Sequence, residues 1–77
     1  MYRFLIVIEK INGNFSAYCP DLPGCIATGS VREEAEENMH EAIRLHVHGL
    51  IENNLPVPES TSFAEYVMIQ LKCEPFE

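Results

Sequence analysis

The chain has 77 residues, 12 acidic and 5 basic, for a net charge of −7 with neutral histidines. That length holds one domain, residues 1–77, near the lower limit at which a single core suffices without staples or self-association. The acidic balance argues against direct nucleic-acid binding, which needs a basic footprint, and it suits a basic protein partner.

Tyr2 to Lys10 is rich in β-branched and aromatic residues and predicts a strand. Phe4, Ile6 and Ile8 fall on one face, Leu5 and Val7 on the other. Apolar residues on both faces imply a central strand, or a face covered by another chain. Its apolar run is too short for a signal-peptide core and lacks a small-residue cleavage site, and no stretch reaches the ~20 apolar residues of a membrane span. A cytoplasmic protein that does not enter the membrane is expected.

Asn12-Gly13 is a strong hairpin signal, because both residues tolerate positive φ. Phe15 to Cys19 then returns antiparallel. Pro20 and Pro23 interrupt the strand pattern, Asp21 can accept backbone amides, and Pro23-Gly24 favours a tight turn. Cys25 to Thr28 predicts a short third strand, ended by Gly29.

Ser30 stands where a helix N-cap belongs, with Glu33 as its capping-box partner. Replacing Ser30 with Ala is expected to cost about 1 kcal/mol. Glu33, Glu37 and Glu41 repeat at i,i+4 and repel one another, so their stripe faces water or a cationic partner. Val31, Ala35, Met39, Ala42, Ile43, Gly49 and Leu50, with His46 in their midst, form the expected core face. Val47 and Ile51 fall on the opposite side, which suggests a contact outside the fold. Asn53-Asn54 can end the helix in the left-handed conformation, before Pro56 and Pro58.

Ala64 to Cys73 returns to strand pattern, with Val67, Ile69 and Leu71 facing the core and Tyr66, Met68 and Gln70 facing away. Glu74 to Glu77 ends the chain. The expected fold is α+β: a β-β-β-α-β antiparallel sheet with one helix packed on one face. Its uncovered face needs a partner, and a homo-oligomer, dimer or tetramer, is expected, with Val47, Ile51, Tyr66 and Met68 at the interface.

The residues that carry chemistry do not converge. His46 and His48 point about 200° apart on a helix and cannot chelate one ion. Cys19, Cys25 and Cys73 are odd in number and lack a CxxC pair, so structural thiols are expected. Asp21, between two prolines, reads as a turn residue rather than a catalytic acid. No phosphate loop or nucleophile elbow is present. No enzyme, metal or cofactor is expected.

The run Tyr18-Cys19-Pro20-Asp21-Leu22-Pro23-Gly24-Cys25, then Thr28-Gly29-Ser30, Glu33-Glu34-Ala35, Glu41-Ala42-Ile43, Gly49-Leu50 and Leu55-Pro56-Val57-Pro58, resembles the N-terminal domain of HicB-like antitoxins. The resemblance spans roughly residues 2 to 71. It implies a truncated ribonuclease-H-like fold and a non-catalytic role: binding and silencing a small, basic, messenger-RNA-cleaving HicA-like toxin. Many members continue into a C-terminal DNA-binding domain, and this sequence ends after its fourth predicted strand, so a protein partner without direct DNA contact is expected. The surfaces expected to meet the toxin are the stripe of Glu33, Glu37 and Glu41 and the Pro20–Gly24 loop, through Asp21 and Pro23. The rival expectation is an oligomeric protein-interaction module with no toxin.

Overall fold

The computed structural model describes residues 1–72. Three strands, β1 (Val7–Ile11), β2 (Asn14–Tyr18) and β3 (Ile26–Gly29), precede one helix, α1 (Arg32–Glu52). The sheet is antiparallel in the order β1-β2-β3, with Val7 opposite Tyr18 and Tyr18 opposite Ile26. Asn12 and Gly13 take φ of 50° and 84° and join β1 to β2. Positive φ at both positions gives the turn the twist that antiparallel strands need.

The β2–β3 connection is two tight turns pinned at the middle. The Leu22 amide donates to the Cys19 carbonyl at 3.1 Å, and the Cys25 amide donates to the Leu22 carbonyl at 3.1 Å. Gly24 takes φ 82°, a conformation that favours glycine. Leu22 is fully buried. Burying a leucine side chain contributes roughly 1.5–3 kcal/mol, which holds a proline-rich loop against the body.

The α1 helix lies on one face of the sheet, mainly over β3 and β2 and least over β1. Ala17, Cys19, Leu22, Cys25, Met39 and Val47 form the buried cluster, with Phe4, Ile6, Ile8, Ile43 and Val57 packed against it. At its C-terminal end the Asn54 amide donates to Ile51 at 3.0 Å and the Leu55 amide to Leu50 at 2.8 Å, with Asn54 at φ 56°. These paired bonds are a Schellman motif, with asparagine in the position usually taken by glycine.

Four expectations change. The helix starts one turn-position later than a Ser30 cap implies: Val31 occupies the cap without a side-chain bond. The Ser30 amide and hydroxyl both donate to Glu34 Oε1, at 2.6 and 2.9 Å, so Glu34 takes the place expected of Glu33. Val47 is buried, not on a polar side, because the covered face follows the Ala35–Met39–Ile43–Val47 ridge. That i,i+4 ridge is inclined to the helix axis, so a helix crossing a twisted sheet drifts onto it. The first strand begins at Val7 instead of Tyr2, and residues 64–72 form no strand at all. The described order is therefore β-β-β-α; Cys73 and the Glu74–Glu77 tail lie outside the described residues.

Candidate partner-binding surfaces

Glu33 and Glu37 are exposed on the first half of α1, with no ion pair or hydrogen bond among the described residues. Glu41 is different. Arg44 Nη2 lies 2.5 Å from its Oε2, and this hydrogen bond, followed by the guanidinium charge, holds the Glu41 carboxyl below its ordinary range. Both side chains are more than half exposed. The stripe thus presents two uncommitted carboxylates and one already matched to a cation.

The Pro20–Gly24 loop shows Pro23 to solvent and turns Leu22 inward. The Asp21 carboxylate is occupied by the chain's own C-terminal segment. The Ser60 hydroxyl donates to Oδ2 at 3.2 Å, and the Ser62 hydroxyl donates to Oδ1 at 3.1 Å. The Thr61 amide and hydroxyl each donate to Oδ1 at 3.3 Å. Partial desolvation pushes the Asp21 pKa up, but the Thr61 amide and the three hydroxyls outweigh it and leave the pKa below its ordinary 3.8. Asp21 is therefore a clamp across about forty residues of sequence. Nothing in the sequence pattern marks Ser60-Thr61-Ser62 as its partners, because that pairing depends on where the chain returns after α1.

Two apolar surfaces flank these charges. On the sheet face away from α1, the cross-strand row Val7–Tyr18–Ile26 is solvent-accessible, with Tyr18 39% and Ile26 64% exposed. Beside the uncovered edge of β1, residues 1–6 and the outer flank of α1 enclose an open groove of about 1100 Å³. Tyr2 and Phe4 stack along it with ring centroids 6.5 Å apart. Ile6, Ile43, Val47 and Ile51 form its floor and far wall, and Arg3, His40, Arg44 and His48 rim it with Glu36 and Glu37. Val47 and Ile51 thus meet at one groove, although Val47 also closes the core. Tyr66 and Met68 are exposed at 101% and 94% and are not among the residues that line the groove.

His46 is half-buried on α1, and His48 Nε2 lies 3.8 Å from Glu52 Oε2. Cys19 and Cys25 are buried free thiols; desolvation, then the neighbouring Cys19, pushes the Cys25 pKa up, away from the reactive thiolate. Among the described residues no cluster of three potential metal ligands occurs, and no helix is long and apolar enough to cross a membrane. The chemistry these surfaces offer is recognition: carboxylates on one flank, apolar faces on two others.

The chain is 40% identical over 60 residues to a UPF0150 protein of Synechocystis, covering 77% of this chain and 76% of that one. It is 37% identical over 62 residues to an uncharacterized 14.9 kDa protein of Haemophilus phage HP1, covering 80% of this chain and 47% of the phage protein. The chain therefore spans about half the length of that phage relative. Among solved structures, the HicA3 and HicB3 toxin–antitoxin complex contains a chain similar to this one, with a TM-score of 0.61 and 27% identity over 77% of this chain and 72% of that one. The profile described as "HicB_like antitoxin of bacterial toxin-antitoxin system" matches residues 4–72. The chain belongs to the HicB-like antitoxin family.

Proposed function

We propose that this protein binds and neutralises a small basic HicA-like toxin, without catalysis of its own. The observation that carries the reading is the family match over residues 4–72. The likeness to a chain of a toxin–antitoxin complex supports a toxin of HicA type as the partner. The exposed carboxylates of Glu33 and Glu37, on a chain of net charge −7, give a basic RNA-binding surface something to dock against. Opposed fields of this kind raise association rates and disfavour wrong partners. On this reading the antitoxin occludes the toxin's RNA site by bulk and charge, in the cytoplasm, on a truncated ribonuclease-H-like scaffold that assembles as a dimer or tetramer. Asp21 contributes by fixing the Pro20–Gly24 loop and Pro23 by shaping its outer surface.

Co-expression with a candidate HicA-like toxin tests it. The wild type restores growth and co-purifies with the toxin, whereas Glu33→Lys combined with Glu37→Lys weakens the complex at least about tenfold, mainly through association. Absence of both rescue and co-purification across cognate candidates would sink the antitoxin reading. Full rescue by the charge-reversed variant would remove the acidic stripe from the interface and leave the apolar faces in its place.

A further inference from the structure

Both ends of the Pro20–Gly24 loop carry a buried thiol, Cys19 before it and Cys25 after it. The register that sets Tyr18 opposite Ile26 sets Cys19 opposite Cys25 at the next step. The Cys19 amide donates to the Cys25 carbonyl at 3.3 Å, which ties the two residues together. Residues directly opposed in an antiparallel pair send their side chains to the same face. Here that face is the inward one, since Ala17, two residues before Cys19, is fully buried as well. Desolvation, then the charge of Cys19, pushes the Cys25 thiol up, and the second cause acts only between near neighbours.

The spacing suits a covalent bond. Opposed residues of a hydrogen-bonded antiparallel pair have Cα atoms roughly 5.5 Å apart, inside the range of about 4.4–6.8 Å found across disulfides. Their Cβ atoms, roughly 4.5–5.5 Å apart, have to approach by about 1 Å to reach the usual disulfide spacing. The site can yield that much. The Cys25 amide donates to Leu22 inside the loop instead of returning a bond to Cys19, and beyond the pair lies a loop instead of further ladder. While the loop is closed, burial keeps both thiols from any oxidant. The loop is held down by the Leu22 side chain and two backbone hydrogen bonds, with Pro20, Pro23 and Gly24 already exposed on its outer side. Lifting so short a segment is a local opening that leaves the rest of the fold intact.

We propose that Cys19 and Cys25 are an oxidisable pair, bridged by reaction with a low-molecular-weight disulfide and released again by the corresponding thiol. One cysteine thiolate attacks the small disulfide, forms a mixed disulfide and expels one small thiolate. The second cysteine thiolate attacks the protein sulfur of that adduct, forms the Cys19–Cys25 bond and expels the second small thiolate. Two electrons pass from the pair to the oxidant, and the two protons the cysteines lose end on the two released thiols. The bridge closes a ring around Pro20 to Gly24 and holds the loop on its folded path. Asp21 lies within that ring, so the anchor of Ser60, Thr61 and Ser62 stiffens with it.

The proposal concerns the chain alone, so its test contains no toxin and its failure is distinct from failure of neutralisation. The full chain carrying Cys73→Ser, in which this pair are the remaining cysteines, is equilibrated with reduced and oxidised glutathione, quenched in acid and mapped by peptide mass. The folded chain should form the internal bond with an exchange constant at least about tenfold larger than the same chain in concentrated urea, because the native register brings the thiols together. In the bridged chain the Leu22 amide should exchange with solvent at least about fivefold more slowly. A chain with Cys19→Ser added, which can form no bridge, should show no such slowing after the same treatment. An exchange constant no larger than in urea would overturn the proposal, as would a reaction that stops at the glutathione adduct. Unchanged Leu22 exchange in the bridged chain would overturn the locking of the loop.

Discussion

Asp21 is the residue whose role the surrounding chain changes most. Between two prolines it has the look of a local turn former, yet its two oxygens take four hydrogen bonds from Ser60, Thr61 and Ser62. Because the folded pKa is lowered, the clamp's contribution is complete above the ordinary value of 3.8 and is lost as pH falls through the lower folded value. The Thr61 amide resonance should therefore follow one acid titration lying below 3.8 in the wild type. In Asp21→Asn that titration should vanish, while the sheet resonances stay in place. An unchanged Thr61 titration in the variant would show that another group controls the anchor.

At the scale of elements, local signals were enough wherever an element finds its partner nearby. The Asn12-Gly13 turn, the two strands it joins, and the Asn53-Asn54 stop of α1 all follow from backbone preferences of a few residues. The fourth predicted strand fails for the opposite reason. Its alternation is real, but a strand exists only when it pairs with an edge, and residues 64–72 pair with none among the described residues. Of the candidate contact residues, Glu33, Glu37 and Glu41 were legible from their spacing as an exposed stripe, and so they lie. Val47 was not, because a helical wheel assumes a straight line of contact and α1 is buried along a slanting ridge. Helix and sheet also meet at a point that the sequence marks only by a glycine: a Cβ on Gly29 would collide with the Ala35 backbone. Gly29→Ala should push α1 from β3 and destabilise the fold by about 1–3 kcal/mol in urea unfolding. A loss below about 0.5 kcal/mol would mean that the helix shifts without cost.

The whole molecule is a small body with an extended arm. Among the described residues the largest fully buried side chains are Leu22 and Met39, a thin core. Chains of this size usually draw further stability from staples or from other copies, and here Cys19 and Cys25 are free thiols while the described residues expose much apolar surface. Net charge of −7 opposes indiscriminate association of that surface and leaves room for partners of matching shape or opposite charge.

The Asp21 clamp also bears on the order of events in time. The hairpin joins neighbours two residues apart, β3 follows after one short loop, and α1 packs back directly, so most of the body forms from contacts close in sequence. The clamp spans 39 to 41 residues, far more than any strand pairing of the sheet, and costs more chain entropy to close than those pairings do. It is expected to form last on folding and to open first in native fluctuations. In hydrogen exchange the Thr61 amide should lose protection well before that of Ala17, and equal protection of the two would refute this order. A freshly made copy thus completes its sheet and helix before the direction of its arm is fixed.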